Sequence, residues 1–132
     1  MKKNRQEKLY NQKSLEILEN LKWPDENEYP TSLIKRCHEY RKIPINELTV
    51  EQLRTLISQD IGLEHLIPIT IEILNKDILA EGDLYPGDLL ESALKIDNAF
   101  WTNNINLKER LSLLIDLNSD KIRSENLELR SL

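Results

Sequence analysis

Apolar residues recur along this chain at steps of three and four, the spacing that aligns one face of a helix, and prolines, glycines and polar clusters interrupt them. Leu15, Ile17, Leu18 and Leu21 make the first stripe. The basic stretch ahead of it, residues 1–13, reads as a tail or an extra helical turn. "KWPDENEYP" at 22–30 breaks the helix, because Pro24 and Pro30 each disfavour helical backbone in the residue before them. Thr31 is the expected N-cap of a helix carrying Leu33, Ile34, Cys37 and Tyr40, which Pro44 ends. Thr49 and Gln52 have the spacing of a capping box, and Val50, Leu53, Leu56 and Ile57 follow at helical intervals.

"DIGLEHLIPITIEILNKDIL" at 60–79 is the most apolar stretch. Gly62 marks a break, and Pro68 is expected in the first turn of a new helix, where its missing N–H costs nothing. Ile69, Ile71, Ile73 and Leu74 cover more than one face, so this helix should be central. The alternation from Ile67 to Ile73 also matches a strand, but Pro68 and the helical neighbourhood argue against one. Leu89, Leu90, Ala93 and Leu94 predict a further helix ending near Asp97, and "NAFWTNN" a short turn carrying Phe100 and Trp101 inward. Asn106 with Glu109 is a second box-like cap, opening a helix striped by Leu107, Leu111, Leu114 and Ile115. Beyond Leu117 the pattern turns polar, with Ile122, Leu127 and Leu129 left for a weak last helix. The expected fold is all-α: a single compact, irregular bundle of about seven short helices. The domain spans 14–120, between the basic segment 1–13 and a polar C-terminal segment, 121–132.

Composition supports this. Leu and Ile dominate the apolar residues, whereas aromatics make up 5% of the chain and glycines number three, too few for a sheet protein with its many turns. At 132 residues the chain can bury one core. No apolar run approaches the roughly 20 residues of a membrane span, and the basic N-terminus lacks the apolar stretch of a signal peptide. One cysteine, Cys37, excludes an intrachain disulfide and suits a reducing cytosol. A cytoplasmic, monomeric domain is the expectation.

Charge narrows the function classes. Residues 1–13 carry a net +4 and residues 121–132 a net +1, so the overall −5 leaves −10 on residues 14–120. Such a body argues against direct nucleic-acid binding, which needs Lys and Arg against phosphates. It suits a basic protein partner, since opposite fields speed encounter. Solubility alone accounts for the same charge.

Candidate chemistry is thin. Cys37 and His38 are helix neighbours that project about 100° apart, so they form no nucleophile–base pair, and nothing folds His65 back onto Cys37. One cysteine and two distant histidines make no zinc set. The stretch "LAEGDLYPGDLL" at 79–90 holds Glu81, Asp83 and Asp88, but Leu84, Tyr85 and Pro86 interrupt the ligand alternation of a calcium loop. No metal, cofactor or catalytic residue is expected. Structurally, the stretch reads as a helix start, with Pro86 first, Tyr85 as the cap and Asp88 third, reaching back to the cap amide. Some of its acids also suit a partner-facing surface. A hydrolase using Asp83 and Asp88, or a small helical module for another basic protein, remains an alternative.

The words "WP", "LIKRCHEYRKIPINELTVEQLRTLISQDIGLEHLIPITIEIL", "LAEGDLYPGDLL" and "FW" together resemble a bacterial family of contact-dependent growth inhibition (CDI) immunity proteins. The resemblance runs from about Leu15 to Leu117 and rests on fold-specifying words rather than on a catalytic signature. It implies a cytoplasmic inhibitor with no activity of its own, which binds the C-terminal toxin domain of its cognate CDI system as a one-to-one heterodimer. The toxin partner described for the family is an EndoU-like RNase that cleaves tRNA in the anticodon loop. An acidic protein suits the basic cleft of such a nuclease. The expected contacts are Asp25, Glu26, Glu28 and Tyr29, with Glu81, Asp83 and Tyr85 second; a solvated polar loop is the plainer reading of the first set.

Overall fold

The computed structural model describes residues 4–25, 28–127, 129, 131 and 132. The chain divides into two compact units, Met1–Leu48 and Thr49–Leu132. Among the described residues there are nine α-helices, one 3-10 turn and no strand, so the protein is all-α.

In the first unit, α1 (Arg5–Asn11) occupies the basic segment and is capped by Asn4, which accepts from the Glu7 amide at 2.8 Å. α2 (Leu15–Leu18), capped by Ser14, is a single turn. It stops because Asn20 adopts a left-handed conformation, φ 51°, letting the Leu21 amide close on the Glu16 carbonyl and the Asn20 amide on that of Ile17. The expected stripe is therefore split: Leu15 is fully buried, whereas Ile17 and Leu21 are exposed. α3 (Ser32–Tyr40) begins at Thr31, whose hydroxyl accepts from the Ile34 amide at 3.1 Å. The Glu16 amide donates to the Arg41 carbonyl at 3.1 Å, and the Ile45 amide donates to the Lys13 carbonyl at 3.0 Å. These bonds tie the end of α3 and the 3-10 turn Ile45–Glu47 to the start of α2.

The second unit opens with α4 (Val50–Ser58). Thr49 accepts from the Gln52 amide at 3.2 Å and Gln52 from the Thr49 amide at 3.0 Å, a reciprocal box. α4 packs on α6 (Asp88–Leu94) and on α5 (Leu63–Lys76), and α5 packs on α8 (Ile105–Leu117). α8 also carries α7 (Asn98–Asn103) and α9 (Ser119–Ser124). Leu53, Leu56, Leu66, Ile67, Leu74, Leu89 and Leu90 are all but inaccessible to solvent. At about 1.5–3 kcal/mol for each such side chain, burial and not intrinsic propensity holds these helices, most of them too short to persist alone.

The starts of α5 and α8 differ from expectation. Pro68 is not in a first turn. α5 begins at Leu63, with Gly62 as its N-cap, and Pro68 lies inside it. The hydrogen bond forgone there is one to the carbonyl of Glu64, an exposed residue, so the loss is small beside the burial of Leu66, Ile67, Thr70, Ile71 and Leu74. Nor do Asn106 and Glu109 form a cap: α8 starts ahead of them, with the Asn104 carbonyl accepting from the Leu107 and Lys108 amides at 3.0 and 3.1 Å. Asn104 ends α7 and opens α8, and its side-chain amide donates back to the Phe100 carbonyl at 2.8 Å.

Candidate functional site

"LAEGDLYPGDLL" is where the second unit concentrates its polar contacts. α6 starts at Asp88, and its N-cap is Gly87, left-handed at φ 88° with no side-chain cap. Pro86 therefore lies outside the helix and Asp88 is its first residue, a correction to the expected start. The left-handed turn aims the Asp88 carboxylate at the preceding loop instead of at the Tyr85 amide. Almost wholly buried, it accepts from the Gly82 amide at 2.7 Å and the Leu84 amide at 3.1 Å.

The amide between them, that of Asp83, donates to Glu51 of α4 at 2.9 Å. Glu51 is in turn gripped by Arg54 one helical turn on, with Nε at 2.7 Å and Nη2 on the second oxygen. Arg54 Nε also lies 3.9 Å from Asp88. Two carboxylates about one guanidinium thus satisfy three successive loop amides. The Arg54 hydrogen bonds hold the Glu51 carboxyl at a pKa of about 2. Gly82 is required by proximity, because a Cβ there would stand 2.5 Å from Glu51 Oε1 and 3.2 Å from the Glu51 backbone.

On the outer side of this pinned backbone Glu81, Asp83 and Leu84 are exposed, Leu84 to 59%. Tyr85 is half-buried and its hydroxyl donates to Glu91, which also pairs with Lys95 at 3.2 Å. These hydrogen bonds hold the Glu91 carboxyl below its ordinary range, and the bond to Glu91 raises the Tyr85 phenol.

The first unit has a separate cluster, built on α3. Arg41, fully buried, donates to Glu19 at 2.9 Å and to the Leu21 carbonyl at 2.8 Å, and its guanidinium stacks on Trp23, 4.5 Å from the ring centroid. His38, one turn earlier, is buried; its Nδ1 is 3.4 Å from the Tyr29 hydroxyl and its Nε2 is 3.5 Å from Asp25. Lys42 also reaches Asp25, at 3.3 Å, and that hydrogen bond lowers the Asp25 pKa. Asp25 and Glu28 are exposed and Tyr29 is half-buried against His38; Glu26 lies outside the described residues. Cys37 is buried, and burial pushes its thiol up. Among the described residues, no group of three or more His, Cys, Asp or Glu side chains stands where a metal ion could be held.

A family model described as CDI immunity proteins matches residues 17–111. The chain belongs to this family. No curated protein and no solved structure matches it. Family membership gives this CDI immunity protein the role of neutralising a toxin by binding it. Both clusters fall inside the matched segment. Sequence reasoning missed Glu51, Arg54, Trp23 and Arg41, whose partners are distant along the chain; the one local signal was the Glu51–Arg54 spacing of three, an ordinary helix-surface ion pair.

Proposed function

We propose that this CDI immunity protein binds the C-terminal toxin domain of its cognate system as a one-to-one complex in the cytoplasm. It blocks an EndoU-like tRNA anticodon nuclease by occupying the RNA cleft. The observation that carries the reading is the family match over residues 17–111. The net −10 on residues 14–120 supports the mode, because a substrate cleft built for phosphates attracts carboxylates and an acidic occupant repels RNA.

Two separate sets of residues are candidates for the contact, one in each unit: Glu81, Asp83 and Tyr85, and Asp25, Glu26, Glu28 and Tyr29. Local geometry favours the first set. Its backbone is held by Glu51 and Asp88, so little ordering entropy is lost on docking, and exposed Leu84 between the acids offers an apolar anchor. In the second set Asp25 is engaged by Lys42 and Tyr29 by His38.

Co-expression with the adjacent-gene toxin domain tests the function: growth and intact tRNA are expected with the immunity protein and neither without it. Titrating the complex with a short oligonucleotide substrate tests the mode. Occlusion requires competition, and an oligonucleotide that binds the complex undiminished rejects it. Any multiple-turnover activity of the pure immunity protein would count for the hydrolase alternative; of its two acids, the Asp88 carboxylate is occupied by the Gly82 and Leu84 amides, while Asp83 is exposed and bonded to Glu51 through its backbone amide.

A further inference from the structure

Beside the pinned loop lies an open cleft of about 450 Å³, lined by Tyr85, Pro86, Glu91, Glu125, Asn126 and Leu127. It is within the size range of ligand sites, about 300–1,000 Å³. Its charged lining is two carboxylates. Glu125 is exposed, with no ion pair to a basic side chain among the described residues. Glu91 takes hydrogen bonds from Tyr85 and Lys95, and Lys95 is itself largely exposed. The remaining walls are a phenol ring, a proline and a leucine. Carboxylates over apolar and aromatic walls suit a long side chain with a methylene stem and a cationic head. A resident metal ion is a poor occupant, because no metal-holding group of three or more His, Cys, Asp or Glu occurs among the described residues.

We propose that this cleft receives a lysine or arginine side chain of the toxin domain, seated between Glu91 and Glu125 against the ring of Tyr85. The proposal rests on the toxin-binding reading above and gives that reading a specific anchor. Lys95 occupies the Glu91 end in the free protein and moves aside or shares the carboxylate on docking. Gly87 helps form the cleft: a Cβ there would meet Leu127 at 2.4 Å, so glycine lets the Leu127 wall close against the start of α6.

The test is calorimetric titration of the intact immunity protein with the C-terminal toxin domain encoded by the adjacent gene. Glu125→Gln is expected to weaken binding about tenfold and Glu125→Lys about a hundredfold, the scale of a desolvated charge contact. Glu64→Lys makes the same change of net charge on α5, outside the cleft, and is expected to cost no more than about threefold. Glu91→Gln provides a second probe of the cleft, with thermal unfolding confirming that each variant is folded. Equal losses for Glu125→Lys and Glu64→Lys mean that only the general field matters, and overturn the cleft. Wild-type affinity in Glu125→Gln, Glu125→Lys and Glu91→Gln overturns it too, while the immunity reading stands. A wild-type protein that does not bind the toxin domain at all overturns both.

Discussion

Glu51 accepts a loop amide and a guanidinium at once, and its ionisation is therefore coupled to the fold. Its pKa of about 2 in the folded protein lies below the ordinary 4.5, so folding favours the charged form. The stabilisation is complete above about pH 4.5 and fades as pH falls toward 2. The carboxylate is 23% exposed, so the shift is discounted for solvent to on the order of 2 kcal/mol. Glu51→Gln should thus be less stable than the wild type by about that amount at pH 7, and the gap should narrow between pH 4.5 and 2.5. Denaturant titrations at both ends of that range read it, and a constant gap would show that the Arg54 pair contributes nothing to folding. At the same scale, Gly87→Ala is expected to cost about 1–2 kcal/mol, because its φ of 88° is strained for any residue with a Cβ. A melting temperature unchanged from the wild type would contradict this.

Helix ends decide the elements, and here they are closed in an unusual way. Asn20, Asp60 and Asn126 take the left-handed position just past α2, α4 and α9. At Asp60 the Ile61 amide bonds back to the Leu56 carbonyl and the Asp60 amide to that of Ile57, both at 3.0 Å. Asp60 is exposed, so Asp60→Gly removes conformational strain without removing burial. It should raise stability by about 0.5–1 kcal/mol, seen as a higher denaturant midpoint with an unchanged slope; a lower midpoint would mean that the Asp60 side chain holds something the backbone geometry does not show. The Thr49–Gln52 box could be read from sequence because its two bonds span three residues. Asn106 and Glu109 have the same spacing and do not cap, because where α7 stops decides where α8 starts, and Asn104 settles that with its own side chain.

At the scale of the whole molecule, the proposed function makes charge distribution the property to test. Residues 14–120 carry −10, so under the proposed function, in which this body enters an RNA cleft, association with the toxin domain should be steered. Raising salt from about 50 to 500 mM is expected to slow association tenfold or more and to change dissociation less, as stopped-flow or surface-binding kinetics would record. Salt-independent association would argue for an apolar interface around Leu84 instead. The resemblance to CDI immunity proteins was visible in the sequence, because such words as "LTVEQLRTLISQDIG" encode caps and core together.

The sequence by itself determined the helical class, the capping of α3 and α4 and the acidity of the body. Each depends on residues three or four apart or on a simple sum of charges. Tertiary structure alone decided what the acids of "LAEGDLYPGDLL" do. Asp88 was expected to cap its own helix and instead accepts from the Gly82 and Leu84 amides, while the backbone amide of Asp83 donates to Glu51, thirty-two residues back along the chain, and leaves the Asp83 side chain exposed. A carboxylate goes to whichever loop amide within reach would otherwise lack a protein partner, and which amide that is depends on how α4 and α6 pack.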